Sequence, residues 1–358
     1  MNLDDTAGLV AADPGGMRLQ VADLTRQVAQ ADTRRSQVHA AVGALGERAR
    51  RATELVVCGM GGSAIGADYA AVWAAPLGAR VHVHRGYGVP PWCGASTLFV
   101  FSSYSGDTEE TLDAFAAAPA ASARLVLTTG GALARAAQAQ DVPVLALPAG
   151  LQPRAALGHS LLALVWLLHE TGLVRVSPAA AIAAAARHLE MLAPTLAPEA
   201  PRQHNRAKQL AAASAGQLLW IVSGNGYLEP VGRRWKAQIN ENAKSLALCS
   251  VVPEMNHNEI MAPPLPLPVC QHLRMLCLAD AADPPPVARR LALTAELLAA
   301  HVAGTEVLTE TAAEPLARLL GATLLADYTS IYLAFLQRVD PLPVARIQDF
   351  KARLRAAG

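Results

Sequence analysis

The sequence predicts an α/β protein with two doubly wound parallel sheets, each flanked by helices. Short apolar runs of strand length alternate with segments of helical periodicity, which is the pattern of βαβ units. The pattern begins twice, each time with an apolar run that ends in a glycine-rich turn, at residues 54–66 and 218–226. The chain has 358 residues, 52% hydrophobic and only 16% charged, so it can bury two cores of ordinary size.

The elements of the first unit follow in chain order. Residues 17–52 place apolar side chains at helical spacing among polar ones, which predicts one or two amphipathic helices. A helix is expected from Ala67, after the glycines of the first turn, and further helices after residue 106 and over 132–140 and 158–171. Apolar or alternating runs predict five strands, at residues 54–58, 80–84, 97–101, 125–129 and 142–147.

The second unit repeats this design. Strands are predicted at residues 218–222, 271–278 and 304–308, and helices at 288–302, 313–335 and 343–355. Two units that each open with a strand and a glycine-rich turn indicate an internal duplication. We expect an N-terminal domain with leading helices over residues 1–176, an alanine- and proline-rich connection over 177–202, and a C-terminal domain with a terminal helix over 203–358.

Charge and cysteine content exclude several classes of protein. Thirty Lys and Arg against 29 Asp and Glu leave a net charge of +1, which argues against binding nucleic acid or anionic membranes through bulk charge. Five cysteines without CxxC spacing argue against a disulfide framework and a structural zinc site. The N-terminus lacks a signal layout, and the longest apolar stretch, 161–168, is far shorter than the ~20 residues that span a bilayer. We expect a cytoplasmic protein that acts on small molecules.

Two turns are candidates for binding an anion. Residues 59–66 are rich in glycine, and Ser103, Ser105 and Thr108 lie with Gly106 at a strand-to-helix switch. Free backbone N–H groups and the helix dipole at such a switch can hold a phosphate without Lys or Arg. The alternatives are a plain βα turn and an ordinary helix cap. Because both turns follow strands, they can lie side by side at the carboxyl edge of one sheet, which favours phosphate binding.

A third group of candidate residues lies in the second unit. Glu241 ends a predicted helix, and His257 lies between two asparagines in a predicted loop. A carboxylate and an imidazole suit proton transfer, and carboxamides can orient an imidazole or bind sugar hydroxyls. The alternative for Glu241 is an exposed amphipathic face, since the same helix carries Arg233, Arg234 and Lys236. A metal site is not expected, because paired histidines at ligand spacing are lacking.

These motifs resemble the bifunctional phosphoglucose/phosphomannose isomerase family, which is built from two sugar isomerase (SIS) domains. The resemblance covers about residues 54–355, and the motifs follow the family order: 61–63, 103–111, 152–154, 240–244, 253–259 and 340–351. Arg154, Glu241, His257 and Lys351 together make the resemblance specific. It implies two SIS-type doubly wound domains.

The resemblance also implies a role for each site residue. Glu241 would move a proton between C2 and C1 of the sugar, Arg154 would offset the charge of the enediolate, and His257 with Lys351 would assist ring opening. It implies no cofactor and no metal. It further implies a homodimer in which His257 reaches the site of the neighbouring subunit. The sugar 6-phosphate would be bound by Gly62, Ser63, Ser103, Ser105 and Thr108.

Two residues depart from the family pattern. Asp107 stands where the family usually has Asn, and an Asp at a helix N-terminus is also a good cap. Leu342 stands where we expect a hydroxyl residue, often Thr, and this position bears on whether both sugar epimers are accepted.

The resulting hypothesis is a metal-independent aldose–ketose isomerase. It would interconvert fructose 6-phosphate with glucose 6-phosphate and mannose 6-phosphate through a cis-enediolate. The alternatives are an SIS protein that binds a sugar phosphate without turnover, and an isomerase of another phosphosugar.

Overall fold

The computed structural model describes residues 1–357, apart from the side chains of Asp32 and Ala357. Within these residues the strands are β1 (Glu54–Gly59), β2 (Val81–His84), β3 (Thr97–Ser102), β4 (Ala123–Thr128), β5 (Val144–Ala146), β6 (Leu218–Gly224), β7 (Ala247–Val252), β8 (Leu273–Asp280) and β9 (Gly304–Glu310). The helices are α1 (Thr6–Ala11), α2 (Met17–Ala22), α3 (Leu24–Ala29), α4 (Ala31–Leu45), α5 (Glu47–Arg50), α6 (Gly61–Ala74), α7 (Glu109–Ala117), α8 (Gly131–Gln138), α9 (Leu157–Glu170), α10 (Ala179–Leu196), α11 (Arg206–Ser214), α12 (Glu229–Asn242), α13 (Leu267–Cys270), α14 (Pro285–Leu298), α15 (Pro315–Leu336) and α16 (Ala345–Ala357).

The first sheet is five-stranded and parallel, with the order β2-β1-β3-β4-β5. The order reverses next to β1, so right-handed crossovers place helices on both faces, as in doubly wound folds. β1 and β3 are neighbours, and Gly59 pairs with Ser102 at their carboxyl ends. The turns that follow these two strands therefore begin side by side, as predicted.

The second sheet is four-stranded and parallel, with the order β7-β6-β8-β9. This order matches that of β2-β1-β3-β4 in the first sheet, as a duplicated unit requires. The predicted α/β class with two doubly wound parallel sheets is confirmed.

Helices cover both faces of a parallel sheet, so the side chains of its central strands are buried on both sides. The sequences of these strands are therefore continuous apolar runs. All six residues of β3 are buried, and Phe99 and Phe101 pack with Phe115 of α7 in one core cluster. Each buried aromatic side chain contributes about 1.5–3 kcal/mol relative to an exposed one. Cys58 belongs to the same cluster, and burial raises the pKa of its thiol to about 12. Its role is therefore core packing.

Three details differ from the sequence prediction. Residues 17–52 form four helices rather than one or two. α6 begins at Gly61, not at Ala67, because glycines in a helix start carry no apolar periodicity to mark it. The edge strand β7 was not predicted, and its residues alternate irregularly between buried and exposed positions.

The described chain divides into two compact units, each built from more than one stretch. One unit comprises residues 23–190 and 312–320 and contains the first sheet. The other comprises residues 1–22, 191–311 and those from 321 onwards, and contains the second sheet. The domain boundaries at residues 176 and 202 stay a prediction.

One described helix, α15, is long and apolar enough to cross a membrane by length and composition alone. Its most apolar 18-residue stretch is 89% buried within the structure. Such burial is typical of a core helix in a folded domain.

Candidate functional site

The glycine-rich turn after β1 packs directly against the segment that carries Arg154. A Cβ atom at Gly62 would lie 2.8 Å from the backbone nitrogen of Arg154 and 2.8 Å from the carbonyl carbon of Pro153. No side chain fits this approach, so glycine is required at position 62. Arg154 lies in a 3-10 helix, Pro153–Ala155, and is only 3% exposed. The structure thus brings the first turn and Arg154 together.

Replacing Gly62 with Ala tests this contact. The added methyl group must push two backbone segments apart, so we expect a loss of about 1–3 kcal/mol in unfolding free energy. Displacement of Arg154 by a fraction of an ångström should also lower kcat/KM by about 10- to 100-fold. Urea unfolding and steady-state kinetics measure the two effects. Gly43→Ala is the control, because a Cβ at Gly43 meets nothing within 4 Å; equal behaviour of the two variants would contradict the prediction.

The turn after β3 is joined to the first turn by hydrogen bonds. The hydroxyl of Ser102 donates to the carbonyl of Ser63 at 2.8 Å, and the backbone N–H of Tyr104 donates to the Ser63 hydroxyl at 3.0 Å. Ser63 therefore lies at the carboxyl edge of the sheet, beside the second turn.

Ser103, Ser105 and Thr108, called here the hydroxyl nest, surround the buried Gly106. The Ser103 and Thr108 hydroxyls lie 2.8 Å apart, and the Gly106 N–H donates to Ser103 Oγ at 3.1 Å. Ser105 is exposed and accepts from the Asp107 N–H at 3.3 Å. Gly106 has φ of 74°, a conformation that glycine adopts without strain. Hydroxyls and backbone N–H groups thus converge at the start of α7, where the helix dipole favours an anion.

Asp107 caps a different helix from the one we expected. Its carboxylate accepts a hydrogen bond at 2.9 Å from the N–H of Ala132, in the first turn of α8. The residue at the N-cap of α7 is Thr108. The negative charge of Asp107 is therefore directed to the start of a neighbouring helix, where the dipole stabilises it.

Tyr104 is a candidate site residue that the sequence did not lead us to select. Its hydroxyl donates to the carbonyl of Pro148 at 2.7 Å and accepts from the N–H of Leu151 at 2.9 Å. Burial raises the pKa of this phenol. Tyr104 thereby ties the hydroxyl nest to the loop that leads to Arg154. Its position between Ser103 and Ser105 was the sequence signal that could have identified it.

Glu241 lies in the last turn of α12, half-buried, at the wall of an open cavity of about 830 Å³. The same cavity is lined by Asn240, Lys244 and Asp340, and by Arg346 in the first turn of α16. Apolar residues complete the wall, among them Leu246, Val339 and Ile347. A carboxylate at the wall of an accessible cavity is a candidate general base.

Lys244 holds the end of α12 against the loop at residues 340–344. It has φ of 55°, and its ammonium donates to the backbone carbonyl of Glu241. The same ammonium donates to the carbonyls of Pro341 at 3.2 Å and Pro343 at 2.7 Å. Positive charge at a helix C-terminus is favourable, so this clamp fixes the backbone beside Glu241.

The side chain of Leu342 is directed to the N-terminal segment. A Cβ at Gly15 would lie 2.8 Å from Leu342 Cδ2, so the two residues are in close contact. Leu342 does not line the cavity beside Glu241, although Pro343 does.

His257 and Lys351 are not gathered at the Glu241 cavity. His257 ends the 3-10 helix Glu254–His257, Lys351 lies on α16, and both are exposed. Neither lines the cavity. Glu241, His257 and Lys351 belong to one compact unit, and Arg154 and the hydroxyl nest belong to the other.

The basic residues of α12, which could have formed one exposed face, differ in their burial. Arg233 and Lys236 are exposed, but Arg234 is only 4% exposed and pairs with Asp327 of α15. The guanidinium makes two bonds to the carboxylate, Nε–Oδ1 at 3.1 Å and Nη2–Oδ2 at 2.6 Å. Gln238 also donates to Asp327, at 2.8 Å. Asp327 is the only acidic residue in the apolar segment 315–336, and a lone acid there was a signal that a buried partner was needed.

Among the described residues, no group of three or more His, Cys, Asp or Glu side chains is placed to hold a metal ion.

Comparison with known proteins agrees with this architecture. Residues 203–354 match the family described as the bacterial phospho-glucose isomerase C-terminal SIS domain. The chain is 37% identical over 303 residues to a bifunctional phosphoglucose/phosphomannose isomerase from Caldicellulosiruptor bescii, covering 84% of this chain and 89% of the relative.

Two further matches are more distant. A D-glucosamine-6-phosphate 4-epimerase from Sulfolobus acidocaldarius is 28% identical over 213 residues, covering 59% of this chain and 64% of the relative. The crystal structure of a hypothetical protein from Thermus thermophilus superposes with a TM-score of 0.70 at 17% identity, covering 96% of this chain and 91% of that one. The structural match supports the fold, and the 37% identity over most of both chains shows that this protein belongs to the bifunctional phosphoglucose/phosphomannose isomerase family.

Proposed function

We propose that this protein interconverts fructose 6-phosphate with glucose 6-phosphate and mannose 6-phosphate, without a metal. The observation that carries the proposal is that a chain of this family has Glu241, a candidate base, at the wall of an open cavity of about 830 Å³. The buried Arg154 and the hydroxyl nest supply the other chemistry that such an isomerase needs.

In this proposal the sugar phosphate group is bound by Gly62, Ser63 and the hydroxyl nest. The hydroxyls donate to phosphate oxygens, and the backbone N–H groups at the start of α7 add further donors. Asp107 does not oppose this binding, because its carboxylate is engaged by the N–H of Ala132. Phosphate affinity therefore rests on hydrogen bonds and a helix dipole rather than on a lysine.

Glu241 then removes the proton from C2 of the open-chain aldose. The C–H electron pair forms the C1–C2 double bond, and the negative charge moves onto the oxygen at C1. Arg154 stabilises this cis-enediolate as a cation, in the role that a metal has in other isomerases. A proton then moves from the hydroxyl at C2 to O1, so that the negative charge lies on O2. Return of the C–H proton to C1 now forms the carbonyl at C2 and gives the ketose. In the reverse direction, protonation of C2 on either face gives the glucose or the mannose epimer.

We further propose that His257 and Lys351 open the sugar ring by moving a proton between O5 and O1. We also propose that the protein is a cytoplasmic homodimer. The exposure of His257 leaves this imidazole free to act in the neighbouring subunit's site. Apolar side chains near both residues are exposed, with exposed fractions of 81% for Met261, 71% for Leu265 and 65% for Phe350. Burial of these side chains between two copies would stabilise such a dimer.

Two alternatives make different predictions. A protein that only binds a sugar phosphate needs the nest but has no use for Glu241 or a ring-opening pair. An enzyme for another phosphosugar is favoured by one observation, the relative whose printed name is D-glucosamine-6-phosphate 4-epimerase.

Turnover of the purified protein with each substrate tests the proposal. We expect fructose 6-phosphate to form from both mannose 6-phosphate and glucose 6-phosphate, at rates unchanged by EDTA. Binding of sugar phosphates without turnover would support the regulatory alternative. Turnover of glucosamine 6-phosphate in place of both hexose phosphates would support the second.

A further inference from the structure

Arg34 of α4 is a buried cation that has no carboxylate partner among the described side chains. It is 7% exposed, and its guanidinium donates only to neutral groups: Gln37 Oε1 at 2.8 Å, the Ala146 carbonyl at 2.8 Å and His159 Nδ1 at 3.5 Å. Burial lowers the pKa of the guanidinium. A buried charge is normally paired, because removing it from water is costly. Arg234, equally buried, has the Asp327 carboxylate; Arg34 has no equivalent among the described side chains.

Asp23, an acidic residue whose charge acts on His159, is already engaged elsewhere. Asp23 forms a double contact with Arg26, with Nε–Oδ1 at 2.5 Å and Nη2–Oδ2 at 2.9 Å. It also accepts from the side-chain amide of Gln27 at 3.1 Å. Asp23 therefore does not neutralise Arg34.

Arg34 lines a cavity of about 300 Å³, and none of the described side chains in its wall is acidic. The wall is otherwise built from Gln30, Thr33 and Gln37, which can donate hydrogen bonds, and from the 146–148 segment after β5. His159, 5% exposed, belongs to the same wall. Its Nδ1 accepts from Arg34, and its Nε2 is buried without a partner. One cation, several donors and no carboxylate make the cavity electropositive.

We propose that this cavity binds a small oxyanion, a phosphate or a carboxylate, at Arg34. The site is separate from the hydroxyl nest, since it is formed by α4, α9 and the end of β5 rather than by the turns after β1 and β3. An oxyanion would give the buried guanidinium the charge-assisted hydrogen bonds that it lacks. The volume, at the lower end for ligand pockets, limits the ligand to a small molecule.

Gln27 connects this cavity to the segment that carries Arg154. Its amide donates to the carbonyl of Ala155, the residue after Arg154, at 2.7 Å, and its Oε1 accepts from the backbone N–H of His159 at 3.4 Å. Gln27 also lines the cavity. An anion bound at Arg34 would therefore act on the position of Arg154 through one side chain. This consequence rests on the proposed function, whereas the binding site does not.

Isothermal titration with inorganic phosphate, and separately with malonate, tests the site without relying on catalysis. The background is the full-length Ser105→Ala/Thr108→Ala variant, in which the hydroxyl nest is disabled. We expect this protein to retain one phosphate or malonate site per chain. The preferred probe identifies the ligand as a phosphate or a carboxylate. Arg34→Gln should weaken that site by about 10- to 100-fold.

Two matched variants complete the test. Arg35→Gln changes the next arginine on α4, whose side chain is 54% exposed, and should leave the affinity unchanged. Arg34→Lys keeps a charge and should retain part of the affinity, with circular dichroism checking the fold of each variant. The proposal is overturned if the nest-disabled protein binds neither anion, or if folded Arg34→Gln and Arg35→Gln proteins bind equally. If Arg34→Gln fails to fold, the Arg34→Lys protein provides the test. This variant lacks the planar guanidinium, so an anion affinity equal to that of the nest-disabled protein would also overturn the proposal.

Discussion

Glu241→Gln is expected to lower kcat for both hexose 6-phosphates by about 10²–10⁴-fold, the usual contribution of a general base. The amide has the size and shape of the carboxylate but cannot accept the C2 proton. Binding should survive, because Gly62, Ser63 and the hydroxyl nest are untouched. Fructose 6-phosphate formation measures the rate, and calorimetric titration with fructose 6-phosphate measures the affinity, which should stay within about threefold.

The structure offers a control on the same helix. Glu229 lies in the first turn of α12 and makes an ion pair with Arg233, whose side chain is 53% exposed. Glu229→Gln removes the same charge from the same helix, so we expect no more than about a twofold change in kcat. Glu241 is not the base if its Gln variant turns over within a factor of a few of the unmodified protein.

Asp327→Ala is expected to strongly destabilise the unit that contains the second sheet. It removes the partner of a guanidinium that is 4% exposed and also leaves the Gln238 amide without its acceptor. Breaking a buried ion pair in this way costs about 3–5 kcal/mol. Urea unfolding measures the loss as a fall in the transition midpoint.

Two further variants separate burial from charge. Asp349 of α16 pairs with Arg353, but both side chains are exposed, so Asp349→Ala should cost less than about 1 kcal/mol. The double variant Arg234→Met/Asp327→Leu should recover much of the lost stability, since an apolar pair of similar volume carries no desolvation penalty. A cost for Asp327→Ala no larger than that for Asp349→Ala would contradict the assignment.

Most strands were predictable because their signal is local. The limits predicted for β1, β3 and β6 agree closely with the observed ones, since central parallel strands are continuous apolar runs. β7 was missed because it is an edge strand with only partial burial, so its sequence lacks such a run. The start of α6 was misplaced because glycines fit a turn and a helix N-terminus equally well.

The residues of the candidate site could be selected from the sequence, but their surroundings could not. The order of the motifs was sufficient to select candidate residues: the hydroxyl nest, Arg154, Glu241, His257 and Lys351. The alternation of strands and helices was sufficient to predict that the turns after β1 and β3 are neighbours. Helical periodicity showed that Arg233, Arg234 and Lys236 lie on one helix. It could not show that Arg234 turns inward, because that depends on α15.

The sequence alone therefore accounts for the α/β class, the repeated unit and the motifs of a sugar-phosphate isomerase, because these follow from short local patterns and from their order along the chain. Tertiary structure alone decided which charges are buried and which residues meet. Gly62 packs on Arg154, Asp327 neutralises Arg234, and Arg34 meets no acid among the described side chains. The physical reason is that local patterns set the backbone conformation, whereas the packing of distant segments sets the surroundings of each side chain.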